Sequence, residues 1–537
     1  MHFAVTALLL FSLQDAPARC SALSGVRIGT SVIGLPTQGA VITIATPIAA
    51  AEQGVNPNGT IRKALPAYCK VIGTIAPIDP AAPKINFEVN LPDNWNRKML
   101  GMGGGGFNGT LVTGLGDVPS NTVEAPLPLM RGYASYGSDS GHEAVSLPEP
   151  QAFALNDEAL VNFAHAAYKK THDVAVETIR LYYGAAATRS YWVGSSEGGR
   201  EGLTMAQRYP RDFDGIFSRV PVINWVGLQT SGNRQGIVQS KGGWLNPVKA
   251  KMVHDAVLGA CDALDGQEDG IVSQYEGCAP KFDIKKLRCT GGTDSGDGCL
   301  SDAQIAAVTT LRSPYPFPFP LANGVTSYPG WGYGGEMNPG GWPQWFNNTA
   351  APEFPPTPAN GQVYQYGSGA MRYFIAKDSG LNTREFSPEK YKKRVQEVSS
   401  LMDSTNPDLS DFASRGGKLI LKEHTGDYAQ SPFAGINYYK SVVKKMGQGT
   451  VDQFFRFYIT PGANHGGGNV PDGIDVLTLL EKWVEQGQAP PDAPAQVTQS
   501  TTAPFAVTMS RPMCRYPKFP KYEGKGDPKF ASSFRCE

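Results

Sequence analysis

A serine flanked by glycines is the residue of this chain best placed to do chemistry. Ser196 is the third residue of the Gly-Ser-Ser-Glu-Gly motif at 194–198, which follows the apolar run 191–193 and precedes a helix-like run at 199–208. Small residues at a strand-to-helix junction allow a sharp turn that projects the hydroxyl above the sheet. The motif alone is weak in a chain with 62 Gly. Its strand and helix context predicts that Ser196 is a nucleophile.

A serine nucleophile needs a base that accepts its proton, and the sequence offers seven His. His465 lies in a glycine-rich turn directly after the strand-like run 454–459, where the base is expected when the chain order is serine, acid, histidine. His424 is the competing candidate, at an earlier junction of strand and loop. We therefore predict that His465 is the general base for Ser196.

The base must in turn be oriented by a carboxylate. Asp427 follows the strand-like run 418–421 and precedes Ser431, which begins a helical pattern, so Asp427 should lie on a loop at the carboxyl edge of the sheet. Glu423 is the alternative acid, and a solvated loop carboxylate is the non-catalytic interpretation of Asp427. The favoured prediction is a Ser196, His465 and Asp427 triad.

The oxyanion of such a reaction needs backbone N–H groups already aimed at the developing charge, each worth roughly 3 kcal/mol of barrier height. One donor is predicted to be the amide of Glu197, the residue after the nucleophile. The other should come from the glycine run 103–106, with Gly105 and Gly106 as the candidates. A plain flexible loop is the alternative interpretation of this run.

The elements that must position these residues alternate between strand and helix. Strand-like runs occur at 85–89, 98–102 and 133–136, and helical patterns follow at 156–169 and 173–183. This alternation predicts a mostly parallel sheet with helices on both faces, the α/β class, and with the serine turn it predicts an α/β-hydrolase fold.

The alternation stops in the middle of the chain. Residues 227–416 appear irregular in sequence, with a Cys- and Asp-rich part and a part rich in Pro, Gly and aromatic residues, and the α/β pattern resumes at 418. We therefore predict one catalytic domain, formed by 19–226 and 417–537, with 227–416 inserted as a lid over the site. Aromatic side chains of the lid are either substrate contacts or lid core: Trp331, Tyr333, Trp342, Trp345 and Phe346.

Composition restricts the partners and the compartment. Lys+Arg and Asp+Glu are both 48, so a zero net charge gives no attraction to nucleic acid or to an anionic membrane. An apolar run at 1–13 followed by Ala-Pro-Ala predicts a secretory signal at 1–18 and a secreted, extracellular or periplasmic protein, the alternative being a buried N-terminal segment.

The even number of cysteines, eight, agrees with export. Free buried thiols are the alternative to disulfides. Proximity in the sequence favours four couples, although it does not determine them: Cys20 with Cys69, Cys261 with Cys278, Cys289 with Cys299, and Cys514 with Cys536.

The chain resembles the tannase and feruloyl esterase family of the α/β-hydrolase superfamily. The resemblance spans nearly the whole chain and is most specific at the Gly-Ser-Ser-Glu-Gly-Gly-Arg segment and the residues up to Ile216. The turn 461–468, the segment 483–490 and the Ser-Asp-Ser-Gly-His run at 138–142 resemble the family too. The resemblance implies a secreted serine esterase that cleaves esters of aromatic acids, acts on small molecules, uses no organic cofactor and holds a structural calcium ion in its lid.

An acidic loop in the lid matches the implied calcium site. The carboxylates within 262–269 repel one another unless a cation neutralises them, and nearby glycines allow the loop to curl around a hard ion. The alternative is an acidic surface turn. By resemblance, the ligands are side-chain or carbonyl oxygens of five residues, with the Cys261 to Cys278 couple closing the loop: Asp262, Asp265, Gln267, Asp269 and Ile271.

Two positions depart from the family pattern. Family members usually carry Cys directly before the nucleophile and directly after the catalytic His, whereas this chain has Ser195 and Gly466. The bridge between the two loops therefore cannot form, and the acid loop also differs at 422–424. These changes bear on the substrate class more than on the reaction. A hydrolase of another ester or an amide on the same scaffold, or a catalytically silent binding protein, are the competing hypotheses.

Overall fold

A ten-stranded sheet is the centre of the molecule. The computed structural model describes residues 15–146 and 149–537. In chain order the strands of this sheet are β1 (Arg27–Ile28), β2 (Ala40–Ile48), β3 (Tyr68–Ile75), β4 (Ile85–Pro92), β5 (Lys98–Met102), β6 (Ala134–Ser138), β7 (Arg189–Ser195), β8 (Gly215–Arg219), β9 (Lys418–His424) and β10 (Phe455–Thr460).

The sheet has an antiparallel part and a parallel part. Its spatial order is β1-β2-β3-β4-β6-β5-β7-β8-β9-β10. Strands β1 to β4 pair antiparallel, and β4 meets β6 antiparallel. From β6 through β5, β7, β8 and β9 to β10 every pairing is parallel. The predicted α/β-hydrolase fold is therefore confirmed, with an antiparallel N-terminal extension that the sequence interpretation had not included.

The parallel strands are buried on both faces, which explains their apolar sequences. Trp192 of β7 packs in one core cluster with helical residues such as Leu203, while its neighbours Tyr191 and Val193 pack in a second cluster with Leu480. Alternate side chains thus point to opposite faces, each covered by helices. The carboxyl ends of these strands meet at one edge, where the predicted site residues lie.

Fourteen α-helices flank the sheet or form the insertion within the described part of the chain. They are α1 (Ala16–Ser21), α2 (Asp157–Val161), α3 (Ala167–Tyr183), α4 (Glu197–Arg208), α5 (Trp225–Val238), α6 (Pro247–Cys261), α7 (Asp302–Arg312), α8 (Trp342–Trp345), α9 (Gln362–Gly369), α10 (Lys392–Met402), α11 (Ser410–Ser414), α12 (Pro432–Met446), α13 (Gln448–Phe454) and α14 (Val476–Gln486).

The inserted segment 227–416 is more regular than its sequence suggested. It contains α6 to α11 and most of α5, so the boundary set at 226 falls inside a helix. Local start signals explain two of these helices: the Asn246 side chain caps α6, and Ser301 forms a capping box at α7. Residues of this segment, among them Trp345 and Tyr366, line the cavity described below.

Four disulfides join the pairs favoured by sequence proximity, Cys20–Cys69, Cys261–Cys278, Cys289–Cys299 and Cys514–Cys536, and no cysteine is free. Two-stranded sheets elsewhere pair Gly54–Val55 with Ile61–Arg62, Tyr315–Pro316 with Ser327–Tyr328, Ala495–Gln499 with Val507–Pro512, and Pro520–Tyr522 with Phe534–Cys536.

The predicted signal segment 1–18 falls mainly on residues 1–14, outside the described residues, and remains a prediction. Its last residues, 16–18, belong to α1. Within the described chain, no helix combines the length and the apolar character that crossing a bilayer requires.

Candidate active site

Ser196 occupies a strained turn between β7 and α4. Its φ of 62° and ψ of −122° are unusual for a residue with a side chain, as expected of a nucleophile elbow. The flanking glycines are required by close backbone contacts. A Cβ on Gly194 would lie 2.1 Å from the carbonyl oxygen of Gly198, and a Cβ on Gly198 would lie 2.7 Å from that of Gly104. The two glycines of the Gly-x-Ser-x-Gly motif are therefore explained by the tight packing of this turn.

His465 and Asp427 come together after the ends of β10 and β9. The Nδ1 of His465 lies 2.7 Å from Oδ2 of Asp427. Asp427 is fully buried, and its other oxygen accepts hydrogen bonds from the backbone N–H groups of Ala429 (2.8 Å) and Gln430 (3.3 Å). These bonds fix the carboxylate, so it can orient the imidazole and stabilise its protonated form.

Ser196 and His465 face the same cavity. Both side chains are partly exposed to it, and the Ser196 hydroxyl has no hydrogen-bond partner among the described residues. An open nucleophile beside an oriented base is an arrangement that can be completed when substrate enters, because catalytic hydrogen bonds often tighten only in the complex.

The competing acid and base lie elsewhere. Glu423 is fully buried with neither carboxyl oxygen hydrogen-bonded within the described chain, and it packs against Gly435 of α12. His424 is also fully buried, and its Nδ1 contacts the carbonyl oxygen of Asn464 at 2.7 Å. Of the two candidate acids, Asp427 is the one that contacts the imidazole of His465, which favours the predicted assignment over both alternatives.

The predicted oxyanion donors line the same cavity. Gly105, Gly106 and Glu197 border it beside Ser196, and their backbone N–H groups make no hydrogen bond to the described residues. The side chain of Glu197 is turned to Arg200, with 2.6 Å between its Oε1 and the arginine Nε. Burial raises the pKa of Glu197 to about 7, against the lowering effect of Arg200. Its backbone thus remains available for the oxyanion.

A residue that the sequence interpretation missed holds the glycine loop. The carboxylate of Glu201 accepts hydrogen bonds from the Gly104 N–H (3.1 Å) and from Nδ2 of Asn108 (2.5 Å). Glu201 is buried on α4, directly behind the nucleophile. The helix that follows the serine therefore also fixes the loop that carries Gly105 and Gly106. The helical position of Glu201 was visible in the sequence, but its partners lie more than 90 residues away.

The cavity beside Ser196 is small and largely apolar, with a volume of about 250 Å³. Helices of the lid and loops of the sheet both contribute to it. Its lining consists of Gly105, Gly106, Phe107, Ser196, Glu197, Val222, Trp225, Leu228, Gln229, Trp345, Val363, Tyr366, Ala429 and His465.

The lid aromatics divide between the two roles considered for them. Trp345 lines the cavity, and its ring lies 5.5 Å from that of His465 in an edge-to-face arrangement. Trp331, Trp342 and Phe346 are buried in the lid core. Tyr333 packs against that core. Two aromatic residues of the lining, Trp225 and Tyr366, and the amide of Gln229 were not singled out from sequence, because nothing local distinguishes them from core residues.

The acidic loop of the lid carries one unsatisfied buried oxygen. Asp265 is 1% exposed, and its Oδ2 has no partner among the described residues. Burial, reinforced by the nearby Asp269 and Asp262, raises the pKa of Asp265 to about 6. Asp262 accepts from the Gly270 N–H at 2.9 Å, and Asp269 pairs with Arg511.

These contacts leave the acidic loop only partly neutralised. Within the described chain, oxygens of Asp262, Asp265 and Asp269 do not all lie within 4.8 Å of one another. The carbonyls of Gln267 and Ile271 belong to the same turn. The orphaned oxygen and the excess negative charge are compatible with a hard cation at this loop.

Comparison with known proteins agrees with this geometry. The family model described as tannase and feruloyl esterase matches residues 69–537. An uncharacterized esterase from Agrobacterium fabrum is 38% identical over 540 residues, which cover 97% of this chain and 94% of that protein. This chain belongs to the tannase and feruloyl esterase family.

Two further proteins are similar to this chain over most of its length, one in sequence and one in fold. A mono(2-hydroxyethyl) terephthalate hydrolase from Piscinibacter sakaiensis is 29% identical, over 88% of this chain and 85% of that protein. The crystal structure of feruloyl esterase B from Aspergillus oryzae has the same fold, with a TM-score of 0.77 at 23% identity over 97% of this chain and all of that one. The family member described here is a carboxylic ester hydrolase.

Proposed function

We propose that this esterase is a secreted serine hydrolase that cleaves esters of aromatic, phenolic acids through an acyl-enzyme. The observation that carries the proposal is the 2.7 Å contact between His465 and Asp427 at the mouth of an aromatic-lined cavity that also exposes Ser196. A nucleophile, an oriented base and free backbone donors around one small cavity are the parts that acyl transfer requires.

The reaction proceeds in two halves. The Ser196 hydroxyl attacks the ester carbonyl while His465, oriented by Asp427, accepts its proton. The backbone N–H groups of Glu197 and of Gly105 or Gly106 stabilise the oxyanion of the tetrahedral intermediate. His465 then donates the proton to the departing alcohol, and the acyl group stays on Ser196. His465 then deprotonates a water molecule, which attacks the acyl-enzyme, and His465 returns that proton to the Ser196 oxygen as the acid leaves.

The cavity indicates which acyl groups fit. At about 250 Å³ it lies just below the usual range of ligand pockets, which favours a single aromatic ring with a short chain. Phe107, Trp225 and Tyr366 supply aromatic surface against which such a ring packs. The side-chain amide of Gln229 has no hydrogen-bond partner within the described chain although the residue is only 5% exposed. We infer that this amide binds a ring hydroxyl of the acyl group.

The charge of the cavity lining further restricts which acyl groups the cavity can bind. Its lining contains no Lys or Arg, and its one carboxylate, that of Glu197, is bound by Arg200. An acyl ring that carries a carboxylate would therefore be buried without a cation, which is costly. We infer that neutral phenolic acyl groups are preferred over the terephthalate monoester named for the relative from Piscinibacter sakaiensis.

A substrate panel tests the proposed function. Methyl esters of hydroxycinnamic and hydroxybenzoic acids are compared with aliphatic esters and with a terephthalate monoester, using wild type and Ser196→Ala. We expect turnover of the phenolic esters, stoichiometric labelling of wild type by an organophosphonate, and neither result in Ser196→Ala. Unchanged activity in folded Ser196→Ala would refute the serine mechanism, and preference for aliphatic esters would refute the substrate class.

The acidic loop is proposed to hold a structural calcium ion. Its ligands would be side chains of Asp262, Asp265 and Asp269 and the carbonyls of Gln267 and Ile271, and the ion would supply charge neutralisation to the lid. The unpartnered Oδ2 of Asp265 and the excess of carboxylates support this assignment. We expect chelation to lower the unfolding temperature by several degrees, and calcium to restore it in wild type but not in Asp265→Asn. Unchanged stability of a metal-free protein would overturn the proposal.

Secretion is supported by the cysteines. All eight form disulfides, a state that persists in oxidising compartments. Expression of the full chain followed by fractionation tests this part, since we expect a product outside the cytoplasm that begins after about residue 18. Retention of an unprocessed chain in the cytoplasm would contradict it.

A further inference from the structure

A buried arginine joins the loop of the nucleophile to the loop of the base. Arg219 is the last residue of β8 and is 6% exposed. Its Nη1 donates to the hydroxyl oxygen of Ser195 at 3.1 Å, and its Nη2 donates to the carbonyl oxygen of His465 at 3.1 Å. Its own carbonyl oxygen accepts the N–H of Ser196 at 3.0 Å. One residue therefore contacts the nucleophile, the residue before it and the base.

The guanidinium of Arg219 is anchored by Asp472. The Nη2 of Arg219 lies 3.6 Å from Oδ2 of Asp472. Asp472 is held from other sides by the Lys422 ammonium (2.5 Å) and the Ser120 hydroxyl (3.1 Å). Burial alone would raise the pKa of Asp472, but Lys422, His424 and Arg219 hold it well below its usual range. The anchor is therefore an ionised carboxylate shared by two buried cations.

The same carboxylate also supports the residue before the base. His424 lies with its Nε2 3.0 Å from Asp472, and its Nδ1 contacts the Asn464 carbonyl oxygen at 2.7 Å. Burial lowers the pKa of His424, against the raising effect of Asp472. The carbonyl oxygens of two consecutive residues, Asn464 and His465, are thus bound by His424 and Arg219, and both of these side chains contact Asp472.

The position of Arg219 suits geometric control and excludes direct chemistry. Arg219 does not line the cavity that holds Ser196 and His465. It borders a separate groove of about 580 Å³ on the other side of the His465 loop, together with Asp472 and the glycines at 466–468. Glycine-rich turns are flexible. A planar fork of donors in fixed geometry can bind two acceptors at once and limit their relative movement.

We propose that Arg219 is a positioning residue that sets the separation of Ser196 and His465, with Asp472 as its anchor. This inference rests on the catalytic roles assigned to Ser196 and His465 under the proposed function. We call the contacts of Arg219 with Ser195, His465 and Asp472 the arginine clasp. Small displacements of a base from its nucleophile are expensive in rate but cost little in substrate binding.

The test compares Arg219→Met, Arg219→Lys and Arg219→Ala with a matched control. Arg372→Met removes another arginine whose side chain is equally buried, at 7% exposure, and which pairs with Glu149 away from the cavity. We expect Arg219→Met to lower kcat about 30- to 100-fold with KM within about threefold of wild type. Arg372→Met should keep kcat. Arg219→Lys should recover only part of kcat, because an ammonium does not match the two-pronged geometry.

Chemical rescue separates positioning from a general effect on folding. The groove beside Arg219 gives a small cation access from solvent, so we expect millimolar guanidinium to raise kcat of Arg219→Ala several-fold and to leave wild type and Arg372→Met unimproved. Rates of organophosphonate labelling of Ser196 should follow kcat across the series.

The outcomes distinguish this proposal from the proposed function. If wild type is not labelled at Ser196, or folded Ser196→Ala stays active, the serine mechanism itself is wrong. If wild type behaves as expected but Arg219→Met retains kcat within about threefold, or loses it no more than Arg372→Met, the clasp does not position the base. A change in KM with unchanged kcat, or no rescue by guanidinium, would also overturn the proposal.

Discussion

The loop that carries His465 has different surroundings on its two sides. On the inner side the loop borders a small, largely apolar cavity that contains Ser196 and His465. On the outer side Arg219, Lys422 and Asp472 form a buried cluster of charges, and none of these three residues lines the cavity. The proposed catalytic residues and the charged residues that position them therefore lie on opposite sides of one short loop. Substitutions on the inner side should change rate or specificity, and those on the outer side should change geometry and stability.

The largest effect is expected on the inner side, at Asp427. Asp427→Asn keeps the shape of the carboxylate but favours the wrong tautomer of His465, so kcat should fall about 10⁴-fold. Steady-state kinetics with a phenolic ester measure the loss, and circular dichroism checks that the variant is folded. A loss of kcat no greater than that of Arg219→Met would contradict the difference between the two sides of the loop and would indicate another catalytic acid.

The next largest effect is expected on the outer side, at Asp472. Asp472→Asn leaves the buried Arg219 and Lys422 without their counter-ion, which should cost about 3–5 kcal/mol of unfolding free energy. The folded-state pKa of Asp472 is lowered. The unfolding free energy of wild type should therefore exceed that of Asp472→Asn by the full amount above about pH 4, and the difference should shrink as the pH falls further. Urea unfolding of both proteins between pH 3.5 and 7 tests this, and equal stability at pH 7 would contradict the role of the anchor.

A smaller effect is expected for Gln229, which should alter specificity rather than chemistry. Gln229→Leu removes the amide proposed to bind a ring hydroxyl, so the preference for hydroxylated over unsubstituted aromatic esters should fall about 10-fold. The ratio of kcat/KM for the paired esters measures it, with the unsubstituted ester as the internal control. An unchanged ratio would place the hydroxyl elsewhere in the cavity.

The smallest effect on activity is expected for Glu423, whose neighbours in β9, Lys422 and His424, contact Asp472 of the outer cluster. Burial, reinforced by Asp427, raises the pKa of Glu423 well above its usual value, so the folded protein keeps this carboxyl protonated while the unfolded chain ionises above about pH 4.3. Wild type should therefore lose stability relative to Glu423→Gln as the pH rises, by at most about 1.4 kcal/mol per pH unit.

Urea unfolding of wild type and Glu423→Gln at pH 5 and pH 8 measures the effect of Glu423. Activity at neutral pH should stay within about twofold of wild type, because the substituted group is neutral in both proteins. A stability difference that is independent of pH would show that Glu423 is ionised in the fold, and a large loss of kcat would reopen its candidacy as the catalytic acid.

The parts of the fold that could be predicted are those with local signals. The strand at 98–102 and the one beginning at 418 are apolar runs bounded by turns, and both were predicted within a few residues. The helices of the insertion were missed although Asn246 and Ser301 offered capping signals, because the Pro- and Gly-rich stretches between them suggested irregular structure. The antiparallel strands β2 and β3 were not considered.

The site was predictable where chain order constrains it. The order of serine, acid and histidine on parallel strands favoured Asp427 over Glu423 as the acid and His465 over His424 as the base. Arg219 carried no such signal, since an arginine at the end of a strand usually extends into solvent and its partners Ser195 and Asp472 lie 24 and 253 positions away along the chain. Gln229 and Tyr366 were hidden for the same reason, because only tertiary packing brings them to one cavity.

The location of the four disulfides has a consequence for how this enzyme responds to its surroundings. They tie the N-terminal helix to the sheet, close loops of the insertion and fasten the C-terminal segment, and none includes a residue of the cavity or of the arginine clasp. Thiol reductants should therefore reduce the lifetime of the protein under heat without altering turnover per folded molecule.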